Sequence, residues 1–244
     1  VRKACQLCDV VVVSIFVNPL QFGPGEDLDA YPRTLSADKE KLFSEGTHIL
    51  YAPGVEDIYP EGMAAQTIVS VPDRGDTLCG SSRPGHFDGV TGVVARLFAI
   101  VQPDVAVFGQ KDFQQQLVIR RMAEDLSLPV VIITAPTVRE GDGLAMSSRN
   151  QYLTDSERRI APALYRELQR AAAAASAGEN DFPGICRAAL GVLREEGFRP
   201  DYFEIRRASD LADVADEDRD LVILVAARLG KARLIDNVRV ESPR

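Results

Sequence analysis

The chain reads as an α/β protein: a doubly wound parallel sheet followed by a smaller α+β domain. Three observations predict this. Val10–Val17 is apolar apart from Ser14, and Asp104–Gly109 reads as a short buried strand, as expected of parallel strands covered on both faces. Stretches of helical periodicity alternate with them, the rhythm of consecutive strand–helix–strand units. Past residue 137 the order changes to long helices followed by strand-like runs. The expected domains are therefore residues 1–137 and 138–244.

Each element has a local reason. Val10–Val17 is rich in β-branched residues and forms the first strand. Thr34–Glu45 is helical, and Gly46 is placed to end it. Thr47–Ala52 and Thr67–Val71 read as further strands. Over Gly89–Val101 the residues Val90, Val93, Val94, Leu97, Phe98 and Val101 share one helical face, and Pro103 closes the segment. A strand over Asp104–Gly109, a helix from Gln110 through Leu126 and a strand over Val130–Thr134 complete the first domain. Thr154-Asp155-Ser156-Glu157 is a capping box that opens a long helix, alanine-rich at 171–175. Ala177-Gly178-Glu179-Asn180 breaks it. A helix over Phe182–Glu196, ended by Gly197, precedes strands at Tyr202–Ile205, Leu221–Ala227 and Ala232–Ile235.

Composition excludes several classes. The net charge of −8 argues against a general nucleic-acid surface. No apolar run approaches the roughly 18 residues that span a bilayer, and no secretory signal pattern opens the chain. Cys5-Gln6-Leu7-Cys8 has C-x-x-C spacing but precedes a strand instead of following one, and no second pair completes a zinc site. No metal site is expected. Cys5 and Cys8 read as two helical cysteines packing near the sheet, in a reduced, cytoplasmic protein.

The chemistry concentrates in loops. Gly141-Asp142-Gly143-Leu144-Ala145-Met146-Ser147-Ser148-Arg149-Asn150 combines bendable backbone, two hydroxyls and a guanidinium, a set suited to phosphate oxygens. Gly109, Gln110, Lys111 and Asp112 lie where a strand ends and a helix begins, the place where open α/β sheets bind ligands and helix N-termini favour anions. In an acidic chain an anionic substrate needs local cations, and Lys111, Arg139 and Arg149 are the ones near glycine loops. The plain alternatives are an ordinary polar loop and a solvated lysine. Further polar residues stand in predicted loops or helix starts: Asn18, Gln21, Tyr31, His86 and Gln115. His48 lies inside a strand-like run and reads as structural.

Five segments carry a resemblance: VVVSIFVNPLQFGP at 11–24, YPRT at 31–34, RPGHFDGV at 83–90, VFGQKDFQQ at 107–115 and PTVREGDGLAMSSRNQYL at 136–153. Together they resemble the pantoate–β-alanine ligases of the nucleotidyltransferase superfamily, over nearly the whole chain. The resemblance implies a Rossmann-like domain followed by a lid domain, use of ATP with Mg²⁺, pantoate and β-alanine as substrates, and a homodimer. By position it implies that Gln21 meets pantoate and β-alanine, and Gln115 pantoate. Gly109, Gln110, Lys111 and Asp112 would hold ATP, and the Val138 backbone would meet adenine. Met146, Ser147, Ser148 and Arg149 would close over the phosphates, while Asn18, Tyr31 and His86 shape the pocket. Lys111, Ser147, Ser148 and Arg149 are the implied catalytic set.

The family's upstream strand and H-x-G-H motif have no counterpart in residues 1–244. Truncation or natural shortening would each account for this. Either way, the expectation is feeble activity and an uncovered edge along Val10–Val17. Two alternative readings stay open: another adenylyltransferase of the superfamily, lacking the Gln21 and Gln115 roles, or a catalytically impaired homologue.

Overall fold

The computed structural model describes residues 1–241, which build two compact units. The first comprises Val1–Phe108 with Gln115–Ala135; the second comprises Gly109–Gln114 with the chain from Pro136 onward.

In the first unit a short helix α1 (Arg2–Cys5) leads into strand β1 (Val12–Ser14). Helix α2 (Leu35–Ser44) ends at Glu45–Gly46 and delivers the chain to β2 (Ile49–Tyr51), which pairs parallel with β1 from Val12↔Ile49 to Ser14↔Tyr51. His48 is structural: its Nδ1 accepts the Val11 N–H at 3.1 Å, at the entrance to β1. The single turns α3 (Val55–Ile58) and α4 (Cys79–Ser82) precede α5 (His86–Val101). On α5, Val90, Val93 and Val94 are buried, as their spacing predicts. β3 (Val105–Gly109) pairs with β4 (Val131–Ala135), and α6 (Phe113–Asp125) connects them. The parallel sheet thus consists of two separate strand pairs, β1–β2 and β3–β4.

One expected strand is absent. Residues 67–71 carry no ladder. The Val69 carbonyl instead accepts from the Thr91 hydroxyl on α5, and Ile68 is exposed. A side-chain bond replaces strand pairing there.

In the second unit the Thr154 capping box forms as expected: Thr154 Oγ1 accepts from Glu157 N, and Glu157 Oε2 accepts from Thr154 N at 2.8 Å. The helix it opens is not continuous. α7 (Asp155–Ile160) stops before Pro162, and α8 (Ala163–Ser176) restarts after it, because proline lacks the N–H that a helix interior needs. α9 (Phe182–Glu195) follows, with Asp181 as its N-cap. β5 (Arg199–Arg207), β6 (Asp220–Leu229) and β7 (Ala232–Glu241) form an antiparallel meander with β6 in the middle. Leu221 to Ala227 on β6 are all buried, so both faces of the central strand are covered. Leu164, Leu168 and Leu193 from the helices meet Phe203, Leu221 and Ile223 from the sheet in one core.

Leu193 is fully buried in that core. Leu193→Ala is expected to lower stability by about 2–5 kcal/mol through lost burial and the cavity left behind. Urea denaturation followed by circular dichroism measures this; a loss under about 1 kcal/mol would place Leu193 outside the structural core.

Candidate active site

In the first unit the Asn18–Gln21 turn is held from three sides. Asn18 is 1% exposed. Its Nδ2 donates to the Gly89 carbonyl at 2.9 Å, and its Oδ1 accepts from the Tyr59 hydroxyl at 2.9 Å and from Leu20 N at 3.3 Å. The turn lies directly against α5: a Cβ on Gly89 would sit 2.5 Å from the Leu20 carbonyl oxygen and 2.8 Å from Gln21 N. Only glycine permits that approach. The third support is Arg83, whose guanidinium donates to the Gln21 carbonyl at 3.0 Å and to both Glu26 carboxylate oxygens, Nε at 2.6 Å and Nη2 at 2.5 Å.

His86 completes this cluster. Its Nδ1 lies 2.7 Å from the Gln21 carbonyl and its Nε2 lies 3.0 Å from Arg83 Nη1. A carbonyl can only accept and a guanidinium can only donate, so Nδ1 carries the ring proton and Nε2 accepts. Burial pushes the Glu26 carboxyl up, but the Arg83 bonds and charge, helped by the Gly23 N–H, outweigh it and leave it below the usual glutamate range.

In the second unit residues 138–146 form a small hairpin. The Val138 carbonyl accepts from Met146 N at 3.0 Å, and Glu140 N donates to the Leu144 carbonyl at 2.8 Å. Gly143 takes the turn at φ +94°, where a side chain would be strained and its Cβ would lie 2.6 Å from Tyr165 Cδ1. Arg139 stacks on that same ring, 3.6 Å from its centroid, and donates to the Gly143 carbonyl at 3.0 Å. Both Arg139 terminal nitrogens bond the buried Asp236 carboxylate, at 2.6 and 3.0 Å. Burial pushes Asp236 up; Arg139, a backbone N–H and the Lys111 charge pull it back in part.

Gly109–Asp112, a segment of the second unit, closes β3 and turns into α6. A Cβ on Gly109 would meet only open space, so the chain's own packing does not require glycine there. Lys111 lines a cleft with Ser147, Asn150 and Asp236, floored by Leu144, Leu164 and Leu234. Its ammonium has no hydrogen-bond or ion-pair partner among the described residues. Ser147 caps the single turn Ser148–Tyr152 by accepting from Arg149 N at 3.3 Å. The Asn150 Oδ1 is buried without a partner among the described residues.

The residues singled out in the sequence divide between the units. Asn18, Gln21, Tyr31, His86 and Gln115 belong to the first. Gly109, Gln110, Lys111, Asp112, Val138, Met146, Ser147, Ser148 and Arg149 belong to the second. Lys111 and Ser147, distant in sequence, meet at one cleft. The side chains of Val138 and Met146 are exposed. The Gln21 and Gln115 amides make no side-chain hydrogen bond among the described residues. Sequence reasoning passed over Glu26, Asp236 and Asn237, and gave Arg83, Gly89 and Asn150 no role although they lie within its motifs. Arg83 could have been assigned one, since it stands three residues before His86 in a charged turn. Asp236 and Asn237 lie within a strand-like pattern and carry no such signal.

The family described as Pantoate-beta-alanine ligase matches residues 1–239. This chain belongs to that family. It is 60% identical over 241 residues to the pantothenate synthetase of Stutzerimonas stutzeri (strain A1501), covering 99% of this chain and 84% of that protein. The crystal structure of pantothenate synthetase from Thermus thermophilus superposes with a TM-score of 0.92 at 48% identity, covering 97% of this chain and 86% of that one. The pantoate-beta-alanine ligase of Francisella tularensis, solved as a complex with "Beta-gamma ATP" and β-alanine, gives a TM-score of 0.80 at 34% identity, covering 97% and 82%. The resemblance read from the five motifs is borne out.

In this member of the pantoate–β-alanine ligase family the Glu26–Arg83 pair has a checkable pH signature. A carboxyl held below its ordinary value stabilises the fold above about pH 4.5, the unfolded value, and that contribution is lost as pH falls through the native value. Glu26→Gln is expected to cost about 1–3 kcal/mol at pH 7, leaving Arg83 poorly paired. Melting curves of parent and variant should converge in acid below that range. A gap that persists or widens toward about pH 3 would contradict the assignment.

Proposed function

We infer that this chain carries out its family's reaction, the ATP-dependent joining of pantoate and β-alanine. The observation that carries the site reading is the cleft lined by both Ser147 and Lys111, whose ammonium makes no hydrogen bond or ion pair among the described residues. A cation with no hydrogen-bond or ion-pair partner among the described residues, in a cleft with a hydroxyl, suits a polyphosphate.

The reaction takes two steps. The pantoate carboxylate attacks the α-phosphorus of ATP, displacing pyrophosphate and giving pantoyl adenylate. The β-alanine amine then attacks the activated carbonyl, loses a proton and displaces AMP. Activation is needed because a free carboxylate is a poor acyl donor. Lys111, with Ser147, Ser148 and Arg149, would offset charge growing on the phosphates. Gly109, Gln110 and Asp112 would line the nucleotide's path, with Val138 and Met146 toward its base. Mg²⁺ would accompany ATP as part of the substrate and would help offset the charge on its phosphates. Gln21 and Gln115 would orient pantoate through their unbonded amides, each able to donate and accept. Asn18 and His86 serve by holding the Gln21 turn, and Tyr31 packs edge-on against Phe22 at 5.7 Å beside it.

No helix among the described residues is long and apolar enough to cross a membrane, and all four cysteines are free thiols. We assign the enzyme to the cytoplasm, as a homodimer with small-molecule substrates and without a nucleic-acid partner.

Two outcomes test these roles. Lys111→Ala is expected to lower pantoate-dependent ATP–pyrophosphate exchange on the order of a hundredfold or more, with the fold intact. Near-normal exchange would reject the phosphate role. Gln21→Ala and Gln115→Ala are each expected to weaken pantoate binding by about 1–3 kcal/mol, because substrate groups lose their partners. Calorimetry should show ATP affinity within a few-fold of the parent; loss of ATP affinity with pantoate unaffected would reverse the assignment.

A further inference from the structure

The Lys111 turn and the Gly143 hairpin are far apart in sequence, yet neighbouring residues of one strand reach both. Asn237 on β7 is 2% exposed. Its Nδ2 donates to the Gln110 carbonyl at 2.9 Å and to the Lys111 carbonyl at 3.0 Å, using both amide hydrogens. Its Oδ1 accepts from Gln110 Nε2 at 3.4 Å. The next residue back, Asp236, is 4% exposed and grips Arg139, which donates to the Gly143 carbonyl. The two are locked together: Asn237 N donates to Asp236 Oδ1 at 2.8 Å, and Arg139 Nη2 reaches the Asn237 carbonyl at 3.4 Å.

We propose that Asn237 is a positioning residue for ATP use: it clamps the Gln110–Lys111 backbone to the sheet whose Asp236 anchors the Gly143 hairpin, and so sets Lys111 at its place in the cleft. The proposal rests on the reading of Lys111 as a phosphate ligand. Two donors aimed at two consecutive carbonyls are what a primary amide supplies; a carboxylate of the same size supplies none and would face two acceptors. Displacing a charged contact by an ångström costs far more than its hydrogen bonds suggest.

ATP affinity by calorimetry, in single and double variants of the full chain, is the test. Asn237→Ala is expected to weaken ATP about tenfold and leave pantoate affinity within about twofold. Asn237→Asp, which keeps the volume, should be at least as damaging. In a Lys111→Ala background Asn237→Ala should add less than about twofold, because its effect travels through that ammonium. A merely structural role would give equal losses in both backgrounds and would overturn the proposal. So would parental ATP affinity in either Asn237 variant. A failure of both variants to melt cooperatively would make Asn237 a folding residue and would also overturn it. A parent chain that binds no ATP sinks the phosphate reading of Lys111 and this proposal together; a parent that binds ATP as its Asn237 variants do sinks this proposal alone.

Discussion

A buried carboxylate must be paired, and in the second unit that requirement organises everything near the cleft. Asp236 sits almost fully out of water on a strand whose neighbours are apolar. An unpaired charge there would be costly enough to be abandoned or neutralised. Arg139 answers it with two bonds, and its planar cation is itself flanked by the Tyr165 face. Arg139 also donates to the Gly143 carbonyl, so the pair holds the hairpin as well. Gly143 is glycine because the hairpin turns at positive φ against the very ring that Arg139 stacks on. One ion pair thereby ties β7, the hairpin and α8 into a single arrangement.

The first unit solves a similar problem with a different arginine. The Arg83 guanidinium is a fork of N–H donors, and its bonds run to Glu26, the Gln21 carbonyl and His86. Glu26 keeps the guanidinium neutralised, while the carbonyl bond fixes the turn that presents Gln21. Lysine could not replace it, because a single ammonium cannot address three partners in one plane.

A division of labour follows. Asn18, Arg83, His86, Arg139, Asp236 and Asn237 are bonded within the protein and hold backbone in place. The Gln21 and Gln115 amides and the Lys111 ammonium make no such bonds among the described residues. Groups that commit their hydrogen bonds internally give rigidity; groups left uncommitted are those that can meet a substrate. Rigid support around uncommitted donors is what preorganised charge stabilisation requires.

The sequence by itself determined most of the strand–helix order, the burial of Val90, Val93 and Val94 on α5, the Thr154 capping box and the presence of the motifs at Gln21, Lys111 and Ser147. These depend on neighbours a few positions apart, where periodicity, capping and loop chemistry act directly. The Pro162 break is local too: proline lacks the N–H a helix interior needs, and the alanine-rich helix starts only after it. Tertiary structure decided the rest. Residues 67–71 had the residue types of a strand, but whether a strand forms depends on a partner edge, and here Thr91 supplied a side-chain bond instead. Asp236 and Asn237 looked like polar interruptions of a final strand. Their meaning lies in Arg139, 97 positions earlier, and in Gln110, 127 positions earlier. No local pattern encodes such pairings, because a hydrogen bond is specified by where two groups meet in space, and only the folded chain brings them together.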